Sequence, residues 1–159
     1  MPQSAYPSGP SAALLGYGAR FLMASGSSPD QYVDFGEVFD ITPPSFTSDQ
    51  VDVTHMQSPD RIREFIDGLV DAGECSFEMN YIPGSASDNV LIAILALAVG
   101  VSRRRNLRII YPNGKLDSFQ GNLQSYEPTV PTDDKMTATV TFKVTGRVTR
   151  QSLTDSPAP

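Results

Sequence analysis

The stretch MTATVTFKVTG, residues 136–146, constrains the fold more than any other part of the chain. Its side chains alternate without a break, with Met136, Ala138, Val140, Phe142 and Val144 on one side and Thr137, Thr139, Thr141, Lys143 and Thr145 on the other. A period of two suits a pleated strand with one buried face and one polar face. The same period recurs from Glu74, where Cys75, Phe77, Met79 and Tyr81 oppose Glu74, Ser76, Glu78 and Asn80. GARFLMAS and QYVDFGEVFDI also read as strands, with Gly36 as a bulge and Pro43-Pro44 ending the second. DQVDVTHM gives a short strand with Val51, Val53 and His55 on one side. LRIIYPNGKLDSFQGNLQSY reads as a hairpin about Pro112-Asn113-Gly114, with Phe119, Gly121 and Leu123 sharing a face of the returning strand.

Two stretches break the pattern. SPDRIREFIDGLVDAG carries Ile62, Phe65, Ile66 and Leu69 at spacings that suit a helical turn or two, and Gly73 then breaks into the next strand. SASDNVLIAILALAVG is the clear helix. Ser85 or Ser87 can cap it, Asp88 sits in its first turn and Gly100 is placed to end it. Leu91, Ile94, Leu95 and Ala98 are the residues expected to bind it to a sheet as core. The fold class that follows is mainly β, a β-sandwich or barrel-forming sheets, with one flanking α-helix.

A chain of 159 residues has room for one domain with a real core, since a chain of about this size buries roughly 70% of its unfolded surface. Residues 1–14 and 149–159 are rich in Pro, Ser and Gly or in polar residues and read as a flexible arm and tail around a domain spanning 15–148. The formal charge of −6 argues against a protein that grips nucleic acid by neutralising phosphates. NVLIAILALAVGV is too short to cross a bilayer, which takes about 20 residues. No basic region followed by an apolar run opens the sequence, and one cysteine forbids an internal disulfide, so synthesis in a cytoplasm is expected.

Catalysis finds little support. Cys75, His55 and Asp52 are the residue types of a nucleophile site, but a thiol in register with Phe77 and Met79 reads as a small buried hydrophobe. His55 reads as a satisfied structural histidine. Glu64, Asp67, Asp71, Glu74 and Glu78 crowd around Cys75 in sequence without the alternate spacing of a calcium loop, so they read as solvated charge. No metal, cofactor or catalytic residue is assigned. Arg103, Arg104 and Arg105 fit the C-terminus of the helix and an acidic partner surface better than a nucleic acid.

The order of the pieces carries a resemblance. DITPPSFTSDQVDVTHMQSP, REFIDGLVDAGECSFEMNY, one apolar helix, LRIIYPNGKLDSFQGNLQSYEPT and DDKMTATVTFKVTG together resemble the major tail tube proteins of long, non-contractile phage tails of the lambda-like group, over about residues 15–148. Ala72 stands where a second glycine is expected of that family. The resemblance implies a non-enzymatic virion protein, made in the host cytoplasm, that polymerises as stacked, hexameric rings into a conduit for double-stranded DNA. Six chains at −6 would give −36 formal charges per ring, and repulsion of that sign lets a polyanion slide. Implied partners are further copies of the chain, a tape measure protein, tail-tip and terminator proteins, and DNA passing without sequence-specific binding, with no membrane. The long segment 40–50, with Ile41, Pro43, Pro44 and Phe46, and Asp52 beyond it, is expected at a subunit interface. Glu74, Glu78, Thr139 and Thr141 are expected to face the lumen. Two other readings compete: a monomeric β-barrel that binds a small ligand or peptide, which needs a persistent apolar pocket, and an enzyme built on Cys75 or the carboxylates, for which Cys75 should alkylate fast under native conditions.

Overall fold

A computed structural model describes residues 13–25 and 31–153. Nine strands and one helix follow in the order β1 (Arg20–Ala24), β2 (Tyr32–Asp34), β3 (Val38–Thr42), β4 (Thr47–Asp52), β5 (Phe65–Asp71), β6 (Glu74–Asn80), α1 (Ala86–Leu95), β7 (Arg104–Ile110), β8 (Lys115–Thr129) and β9 (Thr137–Ser152). Seven strands form one antiparallel sheet in the order β2-β1-β7-β8-β9-β6-β3, and β4 pairs only with β5. The arm and tail expected at the chain ends fall largely on residues 1–12 and 154–159, outside the described residues. β9 itself continues to Ser152.

The strand order forces the large sheet to curl. Its two edges, β2 and β3, are consecutive in the chain and joined only by Phe35, Gly36 and Glu37. Four Cα steps reach at most about 15 Å, whereas seven flat strands would hold their edges roughly 29 Å apart. The sheet therefore rolls into a partly open barrel. The expected single strand QYVDFGEVFDI is accordingly two strands, with Glu37 in the left-handed region at φ 58° turning the chain from one edge to the other. The irregularity expected at Gly36 lies instead in β3 between Phe39 and Thr42, where Asp40 is left-handed at φ 51°.

The inward face of the barrel is the alternation read from the sequence. Cys75, Phe77, Met79, Ala138, Val140, Phe142 and Val144 are all buried. Opposed pairs set their register, with Cys75 across from Phe142 and Phe77 from Val140. Phe21 stacks between Phe77 and Phe142, with centroids at 4.4 and 5.8 Å, and Phe35 closes the group from the joining segment. Such pairs add about 0.5–1.5 kcal/mol each beyond the area they bury. Gly121 on β8 makes room for this packing, because a Cβ there would meet Leu107 Cδ1 at 3.0 Å and the Lys143 carbonyl at 3.2 Å. The hairpin β7–β8 forms about Pro112-Asn113-Gly114 as expected.

Helix α1 begins where the sequence places it. Ser85 is the cap and its side chain accepts from the Asp88 N–H. The buried Asp88 carboxylate accepts from the Gly84 N–H at 2.9 Å and from the Tyr126 hydroxyl at 2.7 Å, which ties the helix start to β8. The far end differs from expectation. The helix stops at Leu95, where the Arg103 guanidinium donates to the carbonyls of Leu95 and Leu97 at 3.4 and 3.2 Å, and Gly100 serves a later turn. Leu91 and Ile94 are core, but Leu95 is 37% exposed and Ala98 lies beyond the helix on the surface. Leu95 closes the last turn at the surface, and the early stop leaves Ala98 outside the helix.

Polar groups fasten the chain end to the barrel. Asp117, 2% exposed, receives both Arg150 donors at 2.7 and 2.8 Å and the Tyr111 hydroxyl at 2.9 Å. The guanidinium holds its carboxyl below the usual carboxylate range. A depressed folded-state pKa stabilises the fold above about pH 4, and that stability is lost as pH falls through the folded value. Arg150→Met is therefore expected to lower the melting temperature by about 2 to 10 °C at neutral pH, from roughly 1 to 3 kcal/mol for an unpaired buried carboxylate. The deficit should shrink below about pH 4. In denaturant titrations, Leu91→Ala should cost about 2 to 5 kcal/mol and Leu95→Ala less than about 1.

Candidate assembly surfaces

Strands β4 and β5 form an arm that leaves the barrel between β3 and β6. Residues 62–69, expected as helical turns, are extended here. The spacing of Phe65, Ile66 and Leu69 is compatible with a helix, but the chain gains a ladder with β4 from Asp52↔Phe65 to Thr47↔Asp71. A bulge opposite Asp49 absorbs Gly68, where a Cβ would sit 3.1 Å from the Asp49 carbonyl oxygen. The tip is tied by Val53 N–H to the Glu64 carbonyl at 2.9 Å, and Ser58 Oγ donates to the Glu64 carboxylate at 2.6 Å. At the root, Gly73 at φ +64° lies so close to the Ser45 carbonyl that a Cβ would be 2.8 Å away. Lys143 Nζ reaches Asp71 at 3.0 Å, and the Gly73 N–H above all, then Lys143, holds that carboxyl below its usual range.

What distinguishes the arm is apolar surface without a cover. Phe46, Ile62, Phe65, Ile66, Leu69 and Val70 are exposed, Leu69 to 85%. Direct opposition puts Phe65 on one face with Asp52, Gln50 and Asp67, and Ile66 on the other with Val51. A two-stranded ribbon alone in water is marginal, and contiguous exposed apolar side chains mark an interaction surface. The arm is also acidic: Asp49, Asp52, Asp60, Glu64, Asp67 and Asp71 stand against Arg61 and Arg63, a balance of −4 within a chain of −6.

The residues expected at an interface are only partly gathered there. Segment 40–50 is not one long loop but the end of β3, a connection over 43–46 and the start of β4. Ile41 packs against the barrel core, Pro44 is half-buried, Pro43 and Phe46 are exposed near the root, and Asp52 lies well along the arm. The principal apolar surface, β5, escaped sequence reasoning because Gly68 interrupts its alternation and leaves a short apolar run that either period fits.

Glu74, Glu78, Thr139 and Thr141 do come together. Glu78 faces Thr139, Ser76 faces Thr141 and Glu74 faces Lys143 across the β6–β9 ladder. β8 extends the same outward face with Ser125 beside Thr141 and Glu127 beside Thr139.

Cys75, His55 and Asp52 do not meet. Cys75 is fully buried in the core, and burial pushes its thiol up to about 12. Asp52 is on the arm, and His55 is near the tip, 3.8 Å from the Glu64 carboxylate, with Nδ1 accepting from the Gln57 N–H. Among the described residues no three His, Cys, Asp or Glu side chains gather as a metal site, and no helix is long and apolar enough to cross a membrane. A surface cleft of about 530 Å³ runs between residues 16–19, β3 and Tyr111. The barrel interior is filled by the phenylalanine cluster.

The family model for the lambda phage tail tube protein matches residues 17–151. Among solved structures, a chain from the tail of an empty GTA particle, refined helically with C6 symmetry, aligns with a TM-score of 0.69 at 14% identity, covering 88% of this chain and all of that one. A chain from the anti-feeding prophage tube terminating cap aligns at 0.67 and 14% identity, covering 96% and 99%. A chain from the sheath-tube complex of an extracellular contractile injection system aligns at 0.67 and 10% identity, covering 89% and 93%. No curated protein matches the sequence.

If the arm is an assembly surface, Phe65→Ser with Leu69→Ser should leave the melting temperature of the subunit nearly unchanged, because exposed substitutions act within about 0.5 kcal/mol. The same variant should stay monomeric by light scattering at concentrations where the unaltered chain polymerises. A folded double variant that polymerises normally would remove the arm from the interface.

Proposed function

This chain belongs to the lambda phage tail tube protein family, and from that premise we propose that its subunits stack as six-membered rings into a virion tail tube through which double-stranded DNA leaves the capsid. One observation carries the assembly reading: the acidic arm exposes apolar side chains on both faces that nothing among the described residues covers. Neighbouring copies supply that cover. Ring symmetry is supported by the C6 symmetry named for the GTA tail. A tape measure protein inside the tube and terminator proteins at its ends are the further partners this role needs. The protein acts as a structural element and performs no catalysis.

The β6–β9–β8 outward face is the best candidate for the lumen wall. Glu74, Glu78, Glu127 and the intervening threonines outweigh Lys143, which Asp71 pairs, and make it polar and net anionic. A basic wall would release counterions from the DNA and hold it at every ring, whereas an anionic wall keeps the polymer mobile. Screening confines the field to about 8 Å at physiological salt, which is the scale of a pore lining.

Negative-stain microscopy of the concentrated, purified chain tests the assembly directly. Tubes of uniform width are expected, and a monomer at every concentration would favour the ligand-binding barrel instead. For the lumen, Glu74→Lys with Glu78→Lys in a phage carrying this protein should leave tubes intact and slow DNA ejection, most strongly at low salt. Ejection at the normal rate in low salt would place that face away from DNA.

A further inference from the structure

The outward face is electrically divided. Its β6 side bears Glu74 and Glu78, while its other side bears Arg104 and Arg108 on β7 and Arg147 on β9. Leu107 and Ile109 are buried, so Arg104 and Arg108 alternate with them and point outward. Among the described residues no carboxylate pairs with any of the three arginines, and the cations in ion pairs are Arg20, His55, Lys143 and Arg150. Arg108 lies 3.9 Å over the Tyr32 ring, its Nε buried without a hydrogen-bond partner, beside a cleft of about 280 Å³ that Gln120 and Arg147 also line.

Carboxylates without a cationic partner among the described residues stand on the arm. Asp52 and Asp67 share the face that carries Phe65, and neither has a cationic partner among the described residues. The arm leaves the barrel at the β3–β6 edge, and β9 and β8 lie between that edge and β7. One subunit thus offers an acidic, apolar projection and a basic strip at different places. Complementary patches at different places on one molecule make a heterologous contact, which repeats from copy to copy.

We propose that the arm of one copy docks on the arginine strip of a second copy, with Asp52 and Asp67 facing Arg104, Arg108 and Arg147. The proposal rests on the tube reading and deepens it. Arginines without a carboxylate partner grip a polyanion that reaches them, and the carboxylates of a neighbour's arm neutralise them. Phe65 and Val70 supply the apolar burial that exposed ion pairs lack, because such pairs contribute little individually and act chiefly on association rate and partner choice.

Charge exchange tests the pairing. Polymerisation of the full chain is followed by light scattering in about 50 mM and about 500 mM salt, where the screening lengths differ roughly threefold. Arg104→Glu, Arg108→Glu and Arg147→Glu together, or Asp52→Arg and Asp67→Arg together, should each slow polymerisation at least about tenfold at low salt. A chain carrying both sets restores opposite charges across the same contact and should return to within about threefold of the original rate. Normal polymerisation of either set alone overturns the proposal, as does a combined chain no faster than the slower set. Circular dichroism and melting establish that each variant folds. If the arginine set does not fold, the exposed arm set decides alone, because its polymerisation should speed up with salt where that of the unaltered chain slows. An unaltered chain that never polymerises sinks the tube reading itself, a result distinct from tubes that ignore the exchange.

Discussion

Three residues hold the architecture together. Phe35, Gly36 and Glu37 join the two edges of a seven-stranded sheet, so the sheet has no freedom to lie flat. Phe35 does more than connect: its N–H donates to the Phe21 carbonyl at 3.0 Å and its ring meets those of Phe21 and Phe77. The seam of the barrel is thereby fastened at the aromatic cluster. Everything else is placed by that closure. β6 and β9 turn their polar face outward because their apolar face is enclosed, and the arm is expelled at the β3–β6 edge because the interior is full.

Where burial is one-sided, the sequence was legible. Residues 74–80 and 137–144 alternate cleanly because each buried face needs apolar side chains and each wet face tolerates threonine or glutamate. The start of α1 could be read for a similar reason, since Ser85 and Asp88 perform local chemistry at a helix end. Reading failed where the deciding contact was distant in sequence or outside the subunit. Leu95 and Ala98 have core chemistry, but Arg103 closes the helix at Leu95, which leaves Leu95 at an exposed end and Ala98 outside it. β5 has the composition of buried structure, yet its side chains are exposed among the described residues, so its alternation is poor and its period ambiguous.

The candidate surfaces divide in the same way. Glu74, Glu78, Thr139 and Thr141 were found together because strand period alone places them on one face. The segment 40–50 reads in sequence as a connection too long for a tight hairpin, with few partners for its apolar residues, although Ile41 belongs to the barrel and Asp52 to the arm. The arginine strip draws on β7 and β9, whose proximity depends on strand order and is invisible in sequence spacing.

The contact between Gly73 and Ser45 has a geometric consequence for any polymer built from this chain. β4 alone spans about 20 Å at the usual rise per residue, so the arm is a lever whose fulcrum is its root. A tilt of about 5° there would move the far end by nearly 2 Å, enough to take a side chain out of its socket. Gly73 allows an approach to the Ser45 carbonyl that no other residue could make, and the Asp71 carboxylate braces the same root by accepting from the Gly73 N–H and from Lys143. The handedness and pitch of a helical assembly would then be written at a few atoms beside the barrel, far from the surfaces that touch.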